Sequence, residues 1–301
     1  MILLSASSAL DRLLRRTRLR LPLDAKARYV LFSDLHRGTG DRADDFRVNR
    51  RLFEAALTYY NRRRFTYIEI GDGDELIENG GLALIVRTYG RVFRLLERFH
   101  ADGRLIYLVG NHNLQMNSLR WRNRQLAEAR KRLPGLWEDL TVRESVLLGD
   151  RMLLFHGHQV DALSTFLFPL SRLFIRFFWR SLQSTLGLKN RLSVSQNPKR
   201  RFRFERTIAS WAEKRRLAAV TGHTHRPVFP APGRPHYLNP GSGVIPRTVT
   251  ALEIEADKIR MAEWRYAPAP AGRVRGAIGR YVPRGCRADL QNLLSSLAQN
   301  C

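Results

Sequence analysis

Asp34 and His36 stand two residues apart at the end of a short apolar run, Tyr29-Val30-Leu31-Phe32. The run is rich in β-formers, so the sequence predicts a buried strand that ends near Ser33. At that spacing a carboxylate and an imidazole can turn onto one ion as the strand gives way to a loop. A lone strand-end Asp more often caps a turn, but four further clusters follow it. They are Gly71-Asp72-Gly73-Asp74-Glu75, Gly110-Asn111-His112-Asn113, His156-Gly157-His158 and Gly222-His223-Thr224-His225. Each sits at the end of a predicted strand, where ligands gather in open α/β sheets.

The donors are carboxylate, amide and imidazole groups, with no thiolate. That mix suits Mn²⁺, Fe or Zn²⁺ rather than Ca²⁺ or a structural zinc. There are enough donors for two divalent ions, with Mn²⁺ the first expectation. Two such ions about 3.5–4 Å apart activate a bridging water and clamp a phosphoryl group during in-line attack.

The elements around the clusters follow from periodicity. Leu52, Phe53, Ala56, Leu57 and Tyr60 share one face of a predicted helix over 46–63, with Asp44 and Asp45 as cap candidates. Phe65 to Ile70 is a strand feeding the second cluster. Residues 82–99 repeat the helical pattern, and Arg104 to Val109 is the next strand. This β-α-β-α-β order argues a parallel-containing sheet covered by helices. Val142 to Leu148 and Arg151 to Phe155 flank Gly149-Asp150 as a hairpin. Leu217 to Thr221 is a strand, and Thr248 to Ile254 with Ile259 to Tyr266 a closing hairpin. Asp41, Asp74 and Asp161 read as turn or solvated residues.

The chain has 301 residues, 44% of them hydrophobic, enough for one large α/β domain with appendages. Three parts are expected: a basic amphipathic N-terminal arm over 1–26, a domain over 27–266 with a helical cap inserted at about 163–216, and a Pro/Gly/Arg-rich tail over 267–301 with a short helix near Ala288 to Leu297. The two cysteines, Cys286 and Cys301, give no disulfide framework and point to a reducing, cytoplasmic compartment. The arm carries its charges after its apolar run, which is the reverse of a secretory signal. No run of 18 apolar residues predicts a spanning helix.

The net charge of +25 favours anionic partners such as nucleic acid, acidic lipid or phosphorylated substrates. Solvated arginines spread along the chain are the competing explanation. Within 163–186, Arg172, Arg176, Arg180 and Gln183 share a narrow helical stripe, and apolar residues fill most of the remaining circumference. Such a helix caps a core or lies on an anionic membrane face, as could the N-terminal arm.

The ordered motifs Asp-x-His, Gly-Asp-x-x-acid, Gly-Asn-His, His-Gly and Gly-His-Thr-His resemble the calcineurin-like metallophosphoesterase superfamily over residues 29 to about 266. The resemblance implies a four-layer α/β/β/α sandwich of two mixed sheets flanked by helices. It also implies that Asp34, His36 and His225 bind a first ion, that Asp72 bridges, and that Asn111, His156 and His223 bind the second. His112 would be a general acid or charge stabiliser beside the phosphate. His156, at the strand end, is preferred to His158 as ligand. Arg37, Arg226 and His158 are candidate substrate contacts. Two residues depart from the pattern. Asn113 stands where the superfamily has an acid, and an amide cannot stabilise an imidazolium as a carboxylate does. Glu75 stands in place of Asp.

Gly-Asp-x-x-Glu, Gly-His-Thr-His-Arg-Pro and the basic, aromatic insertion are similar to the UDP-2,3-diacylglucosamine diphosphatase family, which has Arg where this chain has His112. Hydrolysis of a nucleotide-linked lipid, peripheral on the inner membrane face, is therefore one expectation. A nucleotide or nucleic-acid phosphodiesterase is the alternative, with Lys199-Arg200-Arg201-Phe202-Arg203-Phe204 as a basic–aromatic surface. A non-catalytic scaffold is the third, disfavoured because no inferred ligand is missing.

Overall fold

The computed structural model describes residues 5–79, 81–160, 197–230, 236–267 and 277–299. Among these, two mixed sheets carry the fold. The larger has eight strands, in the spatial order β12 (Ile278–Tyr281), β11 (Lys258–Tyr266), β10 (Thr248–Glu255), β2 (Arg28–Phe32), β3 (Thr66–Ile70), β4 (Leu105–Leu108) and β5 (Val142–Arg143), with β13 (Arg287–Asp289) also on β11. Strands β2 to β5 run parallel, and β10 joins β2 antiparallel. The smaller sheet has the order β1 (Arg20–Leu21), β6 (Ser145–Leu148), β7 (Met152–Phe155), β8 (Ala218–Val220) and β9 (Tyr237–Leu238).

Side-chain alternation along the strands builds the layers. In β2, Val30 and Phe32 face a core shared with helices α2 (Arg50–Arg62) and α4 (Gly90–Ala101). Tyr29 and Leu31 face the other way, into a core between the sheets. In β7, Met152 and Leu154 enter that middle core. Leu153 and Phe155 pack outward with α1 (Ala6–Arg16) and α6 (Pro198–Lys214). Helix layer, large sheet, small sheet and helix layer make the expected four-layer sandwich.

Local chemistry explains several boundaries. Asn197 caps α6 by accepting from the Lys199 and Arg200 amides, and Pro198 occupies its first turn, where no intrahelical donor is needed. The predicted helix over 82–99 is two helices, α3 (Leu82–Thr88) and α4, which meet at Tyr89-Gly90. The predicted strand over 142–148 is also two pieces. Val142–Arg143 ends on the large sheet and Ser145–Leu148 begins on the small one, so the chain changes layer at Glu144. Helix α5 (Leu119–Arg130) was not predicted, and it buries only Leu126 and Ala129.

The arm is folded into the body. Leu10 and Leu13 of α1 are buried against the small sheet, so its apolar face is used within the chain. The C-terminal segment contributes β12, β13 and helix α7 (Leu290–Gln299), whose Leu290, Leu293 and Leu297 enter the middle core. The apolar stretch over 163–186 lies outside the described residues. No helix among the described residues is long and apolar enough to cross a membrane.

Candidate metal centre

The ends of β2, β3, β4, β7 and β8 converge, and they bring the predicted donors together. Asp34, His36 and His225 form one group of side chains able to hold a metal ion, and Asp72, His156 and His223 form another. A third group, His36, Asp72 and His112, overlaps both. Within the first, His225 Nε2 lies 3.2 Å from Asp34 Oδ1 and 3.2 Å from His36 Nε2. Within the second, His156 Nε2 lies 3.0 Å from Asp72 Oδ2 and 3.1 Å from Asn111 Oδ1. Donors around one ion at about 2.1 Å stand roughly 3–4 Å apart, so these spacings suit a shared cation. Asp72 Oδ2 is also 3.9 Å from His36 Nε2, which sets it between the two groups.

The backbone is strained at the donors. Eleven non-glycine residues among the described ones have positive φ, and five of these are Asp34, His36, Asp72, His223 and His225. A non-glycine residue held there costs on the order of 1–3 kcal/mol, and such strain gathers at functional sites. Glycines make the close approaches. Gly71 has φ +76°, and a Cβ on it would lie 2.6 Å from the His156 ring. A Cβ on Gly222 would lie 2.5 Å from Asp34 Oδ2.

Outer partners orient the rings. His156 Nδ1 lies 2.9 Å from the Ile70 carbonyl, so Nδ1 carries the proton and Nε2 faces the donors. Glu75 Oε2 lies 2.9 Å from His36 Nδ1 and 2.6 Å from His112 Nδ1. Glu75 thus supplies the carboxylate that Asn113 lacks, and one oxygen holds both imidazoles. Asn113 turns inward: its Oδ1 accepts from the Gly110 amide at 2.6 Å, and its Nδ2 donates to Tyr107 Oη at 2.9 Å. The open side is a cavity of about 150 Å³ lined by His36, His112, His225, Glu75, Asp41 and Asn79, among others. Because Glu75 orients a donor without being one, Glu75→Gln should keep the fold and weaken Mn²⁺ binding about 10–100-fold. Competition with a chromogenic chelator measures this, and unchanged affinity would remove Glu75 from the site.

Comparisons with known proteins add no family. No protein-family model matches the chain, and no curated protein matches it. Among solved structures, a mutant cold-active protein tyrosine phosphatase aligns at 14% identity with TM-score 0.39, covering 80% of this chain and 78% of that chain. A likeness at that score carries no argument. The donor geometry stands on its own.

Burial opposes charge throughout the centre, and the neighbours outweigh it at most groups. Burial works against a charged His112, but Glu75 and Asp72 lift its pKa to about 10. Against the same burial, Asp72 lifts His156 to about 9. Glu75, despite burial, is held at about 2 by His112 and His36. His225 goes the other way, lowered by burial. In the metal-free chain, protons on His112 and His156 balance Glu75 and Asp72. Folding raises the pKa of His112 and His156 from 6.5, so their contribution is full below about pH 6.5 and is lost as pH rises through about 9 and 10. Metal must displace the proton on His156 Nε2, so its binding strengthens as pH rises toward about 9. We expect the Tm of metal-free protein to fall from about pH 7 to about pH 9.5, and the Tm gain from added Mn²⁺ to grow over that interval. Parallel curves with and without metal would contradict the placement of His156 as a metal donor.

The three candidate substrate contacts sit elsewhere in the framework. Arg37 is fully buried. Its Nε donates to Asp74 Oδ1 at 2.8 Å and an Nη to Glu69 Oε2 at 2.8 Å. Asp74, which the sequence suggests is a turn or solvated residue, is fully buried and also accepts from Tyr107 Oη at 2.9 Å. The network braces the loops after β2, β3 and β4. Arg37→Leu strands two buried acids and should cost about 3–5 kcal/mol in denaturant unfolding. A loss below about 1 kcal/mol would show that the pair is not structural. Arg226 pairs with Glu205 of α6, and Thr224 Oγ1 donates to the same carboxylate at 3.2 Å. His158 is buried, with its ring 5.6 Å from that of His156, and belongs to none of the three donor groups. Asn239 was not singled out from sequence. It is fully buried and donates to the Gly222 carbonyl at 2.9 Å and Thr224 Oγ1 at 3.0 Å, bracing the last donor loop. Its signal was the Asn239-Pro240-Gly241 turn directly after an apolar pair.

Proposed function

We propose that the chain is a dinuclear metal-dependent phosphoesterase. The observation that carries this is Asp72: its Oδ2 stands between the Asp34/His36/His225 group and the Asp72/His156/His223 group. Asp34, His36 and His225 would hold one ion, and Asn111, His156 and His223 the other, with Asp72 common to both. Divalent ions there, Mn²⁺ first and Fe or Zn²⁺ next, supply Lewis acidity and an activated water. The chain's own residues do the rest. His112, at the cavity wall, donates a proton to the departing oxygen, and Glu75 holds its ring from behind. The strained turns at Asp34, His36 and Asp72 fix the donors before substrate arrives.

Two substrate classes follow from the sequence likenesses. One is a nucleotide-linked lipid diphosphate, for which the insertion over about 163–216 and an anionic membrane face would serve as the acyl side. The other is a nucleotide or nucleic-acid phosphodiester, for which Lys199-Arg200-Arg201-Phe202-Arg203-Phe204 would be the basic–aromatic surface. The test is turnover with Mn²⁺ on bis-p-nitrophenyl phosphate, a UDP-linked lipid, cyclic nucleotides and single-stranded DNA. Hydrolysis of one class identifies the substrate. No metal-dependent hydrolysis of any member would refute the proposal.

A further inference from the structure

We propose that the outer face of α2 is a binding groove for single-stranded nucleic acid, separate from the metal centre. The groove has a volume of about 870 Å³. Five arginines line it, Arg50, Arg51, Arg62, Arg63 and Arg91, against one acid, Glu54. Arg50 and Arg91 share that acid at 3.5 and 3.4 Å, and Arg63 reaches Glu255 at 3.2 Å. Among the described residues, no carboxylate lies within ion-pair distance of Arg51 or Arg62. Positive charge here exceeds local negative charge, so an anion is the complementary occupant.

The shape selects among anions. Arg50 and Arg62 are twelve residues apart on one helix, about 18 Å. One phosphate cannot span that length, whereas a nucleic-acid strand carries a phosphate every ~3.4 Å or more along its axis. The floor is formed by Ala55, Tyr59 and Ile278, which are half-buried. Guanidinium groups of Arg63 and Arg280 lie 5.3 and 5.8 Å from the Tyr59 ring. An apolar floor inside a basic rim suits bases as well as phosphates, which inorganic polyphosphate would not use.

The groove also lies next to the metal-side cavity. Thr88 and Tyr89 line the groove, and Thr39 and Asp44 line that cavity. Thr88 Oγ1 donates to the Thr39 carbonyl at 3.4 Å, and Tyr89 Oη donates to Asp44. One bonded wall thus separates the two, and a strand lying along α2 would run toward the donor cluster.

The test is equilibrium binding of a fluorescent oligothymidylate, measured by anisotropy in chelator so that no turnover occurs. It therefore stands or falls apart from the phosphoesterase proposal. With three to five phosphates neutralised, log K against log salt should have a slope of about −2 to −3.5. Arg51→Gln/Arg62→Gln removes two contacts and should reduce that slope by about 1.4. At low salt it should weaken binding about tenfold or more. The charge-matched control is Arg12→Gln/Arg16→Gln on α1, in the opposite helix layer, which should bind within about twofold of wild type. Equal losses in both double variants would mean that binding follows total charge, and would overturn the groove. Equal competition by inorganic polyphosphate at matched charge would overturn its assignment to nucleic acid, and absence of binding would overturn both.

Discussion

Asp72→Ala should lose both bound metal and turnover. Asp72 is buried, its Oδ2 is 3.0 Å from His156 Nε2 and 3.9 Å from His36 Nε2, and its Oδ1 accepts from the His112 amide at 2.8 Å. His156 and the other imidazoles keep its pKa well below the usual carboxylate range despite burial, so it is anionic at any working pH. Under the proposed assignment, removing it would take a ligand from each ion and leave two cations facing each other without the charge between them. The loss in kcat should exceed that for a single oxyanion donor, on the order of 10²–10³. Metal analysis after gel filtration should show the site substantially emptied. A variant that keeps two metals per chain and most of its activity would mean that the donor assignment is wrong.

His112→Ala should separate chemistry from metal binding. The ring stands beside His36 with centroids 4.5 Å apart, but its Nδ1 is engaged by Glu75 and its wall faces the cavity. Placed as a proton donor or charge stabiliser, it accounts for roughly 10²–10⁴ in rate. Metal content should survive, and turnover should fall most for substrates whose leaving group needs a proton. The comparison is kcat on an alkyl phosphoester against kcat on a p-nitrophenyl ester. Equal losses on both would remove the acid role and leave His112 as a fixed charge.

The convergence of the candidate donors was legible because each is tied to a strand end, and strand ends can be read from short apolar runs. Their backbone conformation was not legible. Nothing in the types Asp34, His36 or Asp72 announces positive φ, which turns, close contacts and long-range amides impose together. The role of Glu75 was hidden for a related reason. Its partners lie 39 and 37 residues away along the chain, and local spacing carries no information about that contact. Arg37 was read as facing substrate because a residue after a strand-end motif is normally exposed. The acids that bury it, Glu69 and Asp74, belong to a neighbouring strand and its loop. In the fold, α5 was missed because its buried face is only Leu126 and Ala129, too little for periodicity to register. The layer change at Glu144 was missed because the first piece, Val142–Arg143, is only two residues long and runs straight into the second, and pattern alone cannot assign a strand to one sheet rather than the other.

Metal stoichiometry and turnover measured on the same samples test the central claim most directly. Chelated protein is titrated with Mn²⁺, bound metal is counted by mass spectrometry, and hydrolysis of bis-p-nitrophenyl phosphate is followed at each step. The account predicts saturation at two ions per chain, with hydrolysis absent in the chelated protein and rising as the second ion binds. Saturation below two ions, or hydrolysis that does not depend on them, would contradict it.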